Sequence, residues 1–335
     1  MRKRLAMAAL VLMLLPAVPA RAADPGDGIV IAVLDTGVDS SHPELKDRVE
    51  RMSFYRSPIP PVPGLPDPTT LQPDPDGHGT AAASVAAAKS FGVASGARIL
   101  DMQVSARYTQ GALDPTAEEA ATRAMDELLR HHGGNGTAGP RVVLLSFANN
   151  LTASGAATLA AQAHDLWDAG VLVIVPAGSH SPLHDSPYVV TVGDRDATCA
   201  AGVPAAGVLK PDLAAAARNV KVATPGTPTG GQGQASGTAF ASASVAGAAA
   251  LMWQARPGLP VAALAAIMRD TAADKAAAGP DGCTGFGALD AEAAVVAAKA
   301  WSDPVPPGTP SAAKSPMPIG PLVALVLLAL AARRR

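Results

Sequence analysis

The chain has 335 residues, of which 48% are hydrophobic and 16% are charged, and its formal net charge is -2. A chain of this length and composition can build one large domain or two ordinary ones around a sizeable core. The balanced charge gives no basic surface of the kind that binds nucleic acid, so no nucleic-acid partner is expected.

The first 22 residues have the organisation of a secretory signal peptide. The chain begins MRKR, continues with the apolar run LAMAALVLMLLPAVPA and then has small residues around RAAD. A charged start, a short apolar segment and small residues at a cleavage point are typical of export signals. A buried core helix is the alternative, but it fits these flanks less well. We therefore assign residues 1–22 to a signal, with cleavage near Ala20 to Ala23, and expect a secreted or envelope protein.

Between residues 24 and 300 the sequence alternates strand-like with helix-like segments. Short runs rich in Val, Ile and Leu are typical of strands buried on both faces of a parallel sheet, and they occupy 29–35, 98–104, 142–147, 171–176 and 188–193. Helical patterns occupy 116–132, 154–170, 240–255, 261–277 and 290–300. The alternation predicts one α/β domain with a doubly wound, mostly parallel sheet and helices on both faces. A functional crevice is then expected beyond the carboxyl ends of the strands.

Proline-rich segments interrupt this domain and follow it. Residues 54–77 contain too many prolines for a helix or a central strand, and loops of this length are usually functional or mobile. Residues 301–318 form a Pro/Ser/Ala linker to a hydrophobic tail, 319–335, which ends in an arginine cluster. The apolar run is shorter than the ~20 residues that span a bilayer comfortably. Its plan resembles bacterial C-terminal sorting tails, so we expect contact with the membrane there, rather than a final core helix.

Three short motifs place side chains where the crevice would form. Asp35 ends the first predicted strand in VLDTGVDSSHPEL, and His78 opens an Ala-rich helix in DGHGTAAASVAAA. A carboxylate near such a histidine could orient its ring. Ala239 follows Gly237 and Thr238 in SGTAFASASVAG, at a helix N-terminus whose backbone N–H groups suit a developing oxyanion. Each motif alone also occurs as an ordinary turn or capping sequence.

Together and in this order, the motifs resemble the Asp, His and Ser signatures of the subtilisin family of serine peptidases. The likeness continues in GVASGARILDMQV, LLSFANN, VIVPAGS, SPYVVTVG and GFGALDAEAAV. It implies that Asp35 orients the imidazole of His78 and that His78 is a general base. It also implies a binding site for an extended peptide, with backbone pairing along one strand end and a side-chain pocket. The implied substrate-binding residues are Ser146, Phe147, Ala148, Ala177 and Gly178.

The sequence departs from the family pattern at two positions that carry chemistry. Ala239 stands where the family has its nucleophilic serine, and a methyl group cannot attack a carbonyl. Ser179 stands where the family has the asparagine of the oxyanion hole, and loss of one such donor costs on the order of 10²–10³ in turnover. Ser236 and Ser242 flank the nucleophile position but are displaced from it along the chain, which breaks the alignment that attack requires.

These observations predict an exported peptidase homologue that is inactive or severely impaired and binds extended peptide or protein segments. One alternative is a working serine endopeptidase that uses another serine. A second is a structural envelope scaffold with an idle cleft. We expect the protein to be a monomer.

The sequence indicates no cofactor and no metal. The loop KSF (89–91) is short where family members with a tight calcium site carry ligands, and Glu44 alone does not make a site. The remaining histidines lack metal-ligand spacing and are interpreted as surface or turn residues: His42, His131, His132, His164, His180 and His184. Cys199 and Cys283 fit either one disulfide of an exported protein or two unpaired buried thiols.

Overall fold

The computed structural model describes residues 23–54, 73–109, 112–113, 116–132, 139–147, 151–197, 209–226, 229–274 and 279–302. The predicted signal, most of the proline-rich loop, and the linker and tail from residue 303 onward lie outside the described residues. None of the helices in the described part of the chain is long and apolar enough to cross a membrane.

Eleven strands and six helices follow one another along the described chain. The strands are β1 (Val30–Asp35), β2 (Val49–Ser53), β3 (Arg98–Gln103), β4 (Tyr108–Thr109), β5 (Ala112–Leu113), β6 (Val142–Leu145), β7 (Leu172–Pro176), β8 (Val189–Asp194), β9 (Leu213–Ala215), β10 (Val220–Thr224) and β11 (Gly231–Ala235). The helices are α1 (His78–Ala87), α2 (Ala117–His132), α3 (Ala153–Asp168), α4 (Thr238–Ala255), α5 (Val261–Asp270) and α6 (Ala291–Ala300).

Seven strands form one sheet in the order β2-β3-β1-β6-β7-β8-β9, and every neighbouring pair in it is parallel. From β1 the chain crosses to β2 at one edge and returns to β3, which lies between β2 and β1, whereas from β6 it winds outward to the other edge. The order therefore reverses between β1 and β6, and the carboxyl ends of a sheet at such a point open a crevice. Asp35 is the last residue of β1, and Ser146 directly follows β6.

Helices cover both faces of the sheet, as the sequence predicts. Helices α2 and α3 pack on one face, where the core includes Leu34, Met102 and Leu145. Helices α1, α4, α5 and α6 pack on the other face, where the core includes Ile31 and Ile99. Alternate residues of each strand thus enter two separate cores, which explains why the strand sequences are apolar almost throughout.

Helix α4 runs through the centre of its layer and is buried around its circumference. Its Ala, Ser and Gly residues let other elements approach closely. A Cβ atom at Gly247 would lie 2.7 Å from Cβ of Val93 and 2.9 Å from the carbonyl oxygen of Ala86, so α1 and α4 pack backbone against backbone. This contact brings the first turns of the two helices to the same end of the sheet.

One predicted helix is shorter than the sequence pattern indicates. The pattern favours a helix over 261–277, but α5 ends at Asp270. Ala273 instead exchanges two backbone hydrogen bonds with Ala288, at 2.7 and 2.8 Å. Alanine is a strong helix former, so the tertiary pairing of the backbone overrides the local preference here.

Candidate active site

Asp35 is buried and surrounded by hydrogen-bond donors at the carboxyl end of β1. Its side chain is 1% exposed, and its Oδ1 accepts a bond of 2.6 Å from the backbone N–H of Thr36. The hydroxyl of Ser146 donates to Oδ2 of Asp35 and also to the carbonyl of Leu34, at 3.1 Å. These donors offset the cost of burying a carboxylate and fix its direction.

His78 begins α1 and faces Asp35. Its Nδ1 lies 2.9 Å from both carboxylate oxygens of Asp35, and its side chain is 10% exposed. A carboxylate only accepts hydrogen bonds, so Nδ1 carries the hydrogen and Nε2 is the nitrogen that can take up a proton. The ring also packs against Phe240, with the ring centroids 5.4 Å apart.

The charges around His78 stabilise its protonated form. Burial by itself lowers the pKa of His78, but the charge and the hydrogen bond of Asp35 outweigh that effect. Asp76 and Asp74 act in the same direction as Asp35, and the pKa of His78 is raised above its ordinary value. The pair therefore has the electrostatics of a base that is readily protonated during a reaction.

Asp74 ties the turn after Asp35 to the start of α1. It accepts hydrogen bonds from the Thr36 hydroxyl at 2.8 Å, the Gly77 N–H at 2.8 Å and the Thr80 N–H at 2.7 Å. The Thr36 hydroxyl in turn accepts a bond of 3.0 Å from the N–H of Gly79. Burial raises the pKa of Asp74, although these donors act against that shift. The helix end is thus capped from the segment before it, and the capping holds His78 against Asp35.

Gly37 and Gly79 allow the backbones of this region to come into direct contact. A Cβ atom at Gly79 would lie 2.1 Å from the carbonyl oxygen of Gly37. At Gly37, which has a φ of 114°, a Cβ atom would lie 2.2 Å from the carbonyl oxygen of Pro73. Glycine is required at both positions because any larger residue would push α1 and the Asp35 turn apart.

Ala239 occupies the first turn of α4, next to the Phe240 ring that contacts His78. It is 4% exposed, and Gly237, two residues earlier, has a positive φ of 153°, a conformation that residues with a side chain rarely adopt. The helix N-terminus thus lies beside the Asp35–His78 pair with a methyl group at the position predicted for a nucleophile. The first N–H groups of such a helix are free of intrahelical partners and favour negative charge.

Three serines near this position are engaged with the backbone. Ser242 is fully buried, and its hydroxyl donates to the carbonyl of Thr238 at 2.9 Å. Ser244 donates to the carbonyl of Phe240 at 3.2 Å. The hydroxyl of Ser236 is exposed and accepts a bond of 3.0 Å from the N–H of Asn219. Both helical serines bond to the carbonyl four residues earlier, so their hydroxyls lie along the helix surface.

The predicted peptide-binding strand end is described only in part. Ser146 and Phe147 are 0% and 2% exposed, and the Phe147 ring belongs to the core beneath α2 and α3. Only their backbone can therefore face a ligand. Strand β6 pairs with β7 as far as Leu144 and Ile174. The residues after Leu144 therefore lie beyond the paired part of the two strands. Ala148 lies outside the described residues.

The predicted pocket and oxyanion positions follow β7 at the same edge of the sheet. Ala177 is partly buried, and its N–H donates to the carbonyl of Val192 at 2.8 Å. Gly178 and Ser179 are exposed. All of these residues lie at the carboxyl ends of parallel strands, the edge that also carries Asp35.

Two histidines interpreted as surface or turn residues are in turns but are buried. His42 is 1% exposed, and its Nε2 lies 2.9 Å from the carbonyl oxygen of Gly231. His184 is 3% exposed and contacts the hydroxyl of Ser181 at 2.8 Å, and burial lowers its pKa. Polarity alone does not distinguish an exposed turn histidine from one that is buried and hydrogen-bonded inside the protein.

Glu44 is held by neutral donors. Its carboxylate accepts bonds from the N–H and the hydroxyl of Ser90, at 2.9 and 2.6 Å, and from the amide of Gln232, at 3.0 Å. In the part of the chain that the structure describes, no group of three His, Cys, Asp or Glu side chains is arranged to hold a metal ion.

Cys283 is in a disulfide. Cys199 lies outside the described residues, and its pairing stays a prediction.

Comparison with known proteins identifies the class to which this fold and site belong. The family model described as the subtilase family, peptidase S8, matches residues 26–287. The chain therefore belongs to the subtilase family.

Individual relatives agree with this assignment. The chain is 29% identical over 265 residues to subtilisin from Bacillus sp. (strain TA39), which covers 69% of this chain and 58% of the relative. It is 27% identical over 278 residues to the cuticle-degrading protease of Metarhizium anisopliae, covering 78% and 63%. It is 30% identical over 236 residues to the subtilisin-like serine protease Pen ch 13 of Penicillium rubens, covering 68% and 52%. The matches thus span only about half to three fifths of each relative's length.

Solved structures support the same fold. The crystal structure of fervidolysin from Fervidobacterium pennivorans, a keratinolytic enzyme related to subtilisin, has a TM-score of 0.62 at 21% identity and covers 85% of this chain and 44% of its own. Sphericase has a TM-score of 0.62 at 23% identity and covers 81% of this chain and 94% of its own.

Sequence motifs indicated Asp35 and His78, but they did not indicate the residues that hold this pair. Thr36 and Ser146 donate to Asp35, Asp74 caps the helix that begins at His78, and Phe240 packs on the imidazole. Asp74 carried one available signal, because it precedes His78 within DPDGHG, where a carboxylate can cap the coming helix. The role of Ser146 depends on the pairing of β1 with β6, which the local sequence does not specify.

Proposed function

We propose that this chain is an exported subtilase that has lost covalent peptidase chemistry and binds extended peptide or protein segments without cutting them. The observation that carries the proposal is the methyl group of Ala239 in the first turn of α4, beside a fully supported Asp35–His78 pair. A base with no hydroxyl to activate cannot form an acyl-enzyme. Loss of the nucleophile from a triad of this kind costs roughly 10⁶-fold in turnover.

The surrounding serines support inactivity rather than a substitute nucleophile. Ser242 is fully buried and bonded to the carbonyl of Thr238, and Ser244 is bonded to the carbonyl of Phe240. Either hydroxyl would have to break that bond and change rotamer to reach a substrate. Ser179 adds a second defect, because a hydroxyl is shorter than a carboxamide and aims differently at an oxyanion.

Peptide binding is supported by the strand ends at the crevice. Beyond Leu144 the backbone of β6 is not paired with β7, and the side chains of Ser146 and Phe147 are buried. A segment whose side chains are fixed in the core and whose backbone is free on one side suits main-chain pairing with an extended peptide. The exposed Gly178 leaves room for a ligand side chain next to it.

Export and a membrane-associated tail complete the proposal. They depend on the sequence of residues 1–22 and 319–335, which fit a signal peptide and a hydrophobic sorting tail. Fractionation of cells that express the full chain tests both. The proposal expects the protein in the envelope or medium, and deletion of 319–335 should move it from the envelope to the medium.

The decisive assay for lost catalysis is covalent labelling. Purified protein is incubated with a fluorophosphonate probe and, in parallel, with casein, and compared with the His78→Ala variant. We expect no labelling and no cleavage above that of the variant. Labelling that disappears in His78→Ala would establish the alternative, a serine endopeptidase that uses another serine.

A binding assay separates a peptide binder from an idle scaffold. We expect a displayed peptide library to be enriched on the protein, and the enrichment to be lost in Gly178→Phe. The matched control is Gly258→Phe, because Gly258 is exposed and has open space around it. Absence of enrichment on the parent protein would favour the structural scaffold.

A further inference from the structure

A partly buried ion pair joins the edge strand β2 to the sheet next to the Asp35 turn. Arg51 of β2 and Asp101 of β3 are register partners in parallel strands. Nε of Arg51 donates to Oδ2 of Asp101 at 2.7 Å, and the Asp101 side chain is 0% exposed, whereas that of Arg51 is 33% exposed. A buried carboxylate at the centre of a strand is costly unless it is paired and hydrogen-bonded.

The Arg51–Asp101 ion pair contacts the segment that follows Asp35 and the segment that leads to His78. Oδ2 of Asp101 also accepts a bond of 3.0 Å from the N–H of Val38, three residues after Asp35. The guanidinium of Arg51 donates to the carbonyl of Val38 at 3.3 Å and to the carbonyl of Pro73. Arg51 therefore bridges the turn after β1 and the segment that leads into α1.

A continuous set of contacts runs from Pro73 to His78. The Pro73 carbonyl lies against Gly37, and the next residue, Asp74, caps α1 through Gly77 and Thr80. Any displacement of Pro73 is thus transmitted to the first turn of α1, which carries His78. On the same face of β3, Gln103 donates to the carbonyl of Thr36 at 2.8 Å and supports the other side of the turn.

The Asp101 carboxyl can be either ionised or protonated near neutral pH. Its Oδ1 is buried and has no hydrogen-bond partner among the described residues, which suits a site for a proton. Burial raises the pKa of Asp101 to about 7, although the charge of Arg51 acts against that shift and Asp74 reinforces it. The other neighbours of the carboxyl are the N–H of Val38 and, across β1, the apolar partner Val33.

We propose that Arg51 and Asp101 are positioning residues for the Asp35–His78 pair, acting through an ion pair that is complete when the Asp101 carboxyl is ionised. The ionised pair holds Arg51 over the carbonyls of Val38 and Pro73. Protonation of Asp101 weakens that hold and loosens the link from Pro73 to α1. The proposal concerns the geometry of His78 and holds whether the chain cuts peptides or only binds them.

Nuclear magnetic resonance of the isotopically labelled full chain tests the proposal directly. The amide proton of Val38 reports on Asp101, to which it donates, and the amide of Gly79 reports on the first turn of α1. We expect both shifts to titrate with a midpoint near pH 7 in the parent protein. A Val38 shift that stays flat between pH 5 and 9 would overturn the proposal without any variant.

Variants separate positioning from a merely structural pair. Because the His78 ring titrates next to Gly79, the variants are compared in the His78→Gln background, where Asp101→Asn should abolish the titration at Val38 and the matching response at Gly79. Should Asp101→Asn not fold, Arg51→Gln should keep a titration at Val38 but remove the coupled response at Gly79. In His78→Gln the response of Gly79 should persist. In the His78→Gln background, a Gly79 response that survives the loss of either Arg51 or Asp101 would contradict the proposal.

An exposed ion pair between the same two strands provides the matched control. Arg98 and Glu50 lie 3.6 Å apart, and their side chains are 59% and 68% exposed. Glu50→Gln should leave the titrations of Val38 and Gly79 unchanged. Loss of the coupled response in Glu50→Gln would show that any weakening of β2 against β3 disturbs the site, which would refute a specific role for Arg51 and Asp101.

Discussion

At the scale of single residues, the chemistry of the crevice depends on a carboxylate that is almost fully removed from water. Asp35 is acceptable there because Thr36, Ser146 and His78 all donate to it. The sequence DTG predicts the position of this carboxylate, but it does not predict the donors, which come from other elements. Changes at these residues should therefore be visible as changes in stability.

The pH dependence of stability provides a first test, with His78→Gln as the change. The pKa of His78 is raised in the folded protein, so its contribution is fully present below its ordinary pKa and is lost as pH rises through the folded value. We expect the variant to be less stable than the parent at pH 5.5, and this difference to shrink by pH 9. Urea unfolding at the two pH values measures it. In an Asp35→Asn background the excess stability at pH 5.5 should shrink, because the largest influence that raises the pKa of His78 is gone. With Asp35 in place, a difference that grows with pH would contradict this account.

The hydroxyl of Ser146 provides a second test. Ser146→Ala removes a donor to a buried carboxylate and should lower the free energy of unfolding by about 1–3 kcal/mol. Denaturant titration measures the loss, and Ser154→Ala, at an exposed helical position, should change stability by less than about 0.5 kcal/mol. Equal effects of the two substitutions would mean that Ser146 does not support Asp35.

At the scale of elements, the long apolar strands and the Ala-rich helices could be predicted, because hydrophobic pattern alone specifies them. Strand β2 was missed because three of its five residues, in VERMS, are polar or charged, as suits an edge strand. The hairpin of β10 and β11 was missed because GQGQA has no hydrophobic alternation, and its pairing is set by the backbone. Arg51 belongs to this unpredictable part, and the charged partner of Asp101, which lies in a predicted buried strand, is not apparent until β2 is paired with β3.

Close packing of α1 on the Asp35 turn can be tested with Gly79→Ala. The added Cβ atom would lie 2.1 Å from the carbonyl oxygen of Gly37, so α1 must shift and we expect a loss of about 1–3 kcal/mol. Gly258→Ala is the control, because a Cβ atom there meets nothing within 4 Å. Calorimetry of both variants measures the difference, and a Gly79→Ala protein as stable as the control would contradict the packing described here.

At the scale of the whole molecule, three motifs in the right order were enough to predict the family and a doubly wound parallel sheet, and both are confirmed. The motifs also indicated which residues depart from the family pattern. They could not indicate which contacts hold Asp35 and His78 in place. Those contacts join distant segments, as Ser146 does with Asp35 and Arg51 does with Pro73.

The central claim is that Ala239 and Ser179 together, and not a collapse of the site, account for the proposed loss of catalysis. Peptide hydrolysis and fluorophosphonate labelling of the parent, of Ala239→Ser and of the double variant Ala239→Ser/Ser179→Asn test it most directly. We expect no His78-dependent activity in the parent, little in the single variant, and roughly 10²–10³-fold more in the double variant than in the single one. Hydrolysis by Ala239→Ser that equals that of the double variant would contradict the role assigned to Ser179. His78-dependent labelling of the parent would contradict the account as a whole.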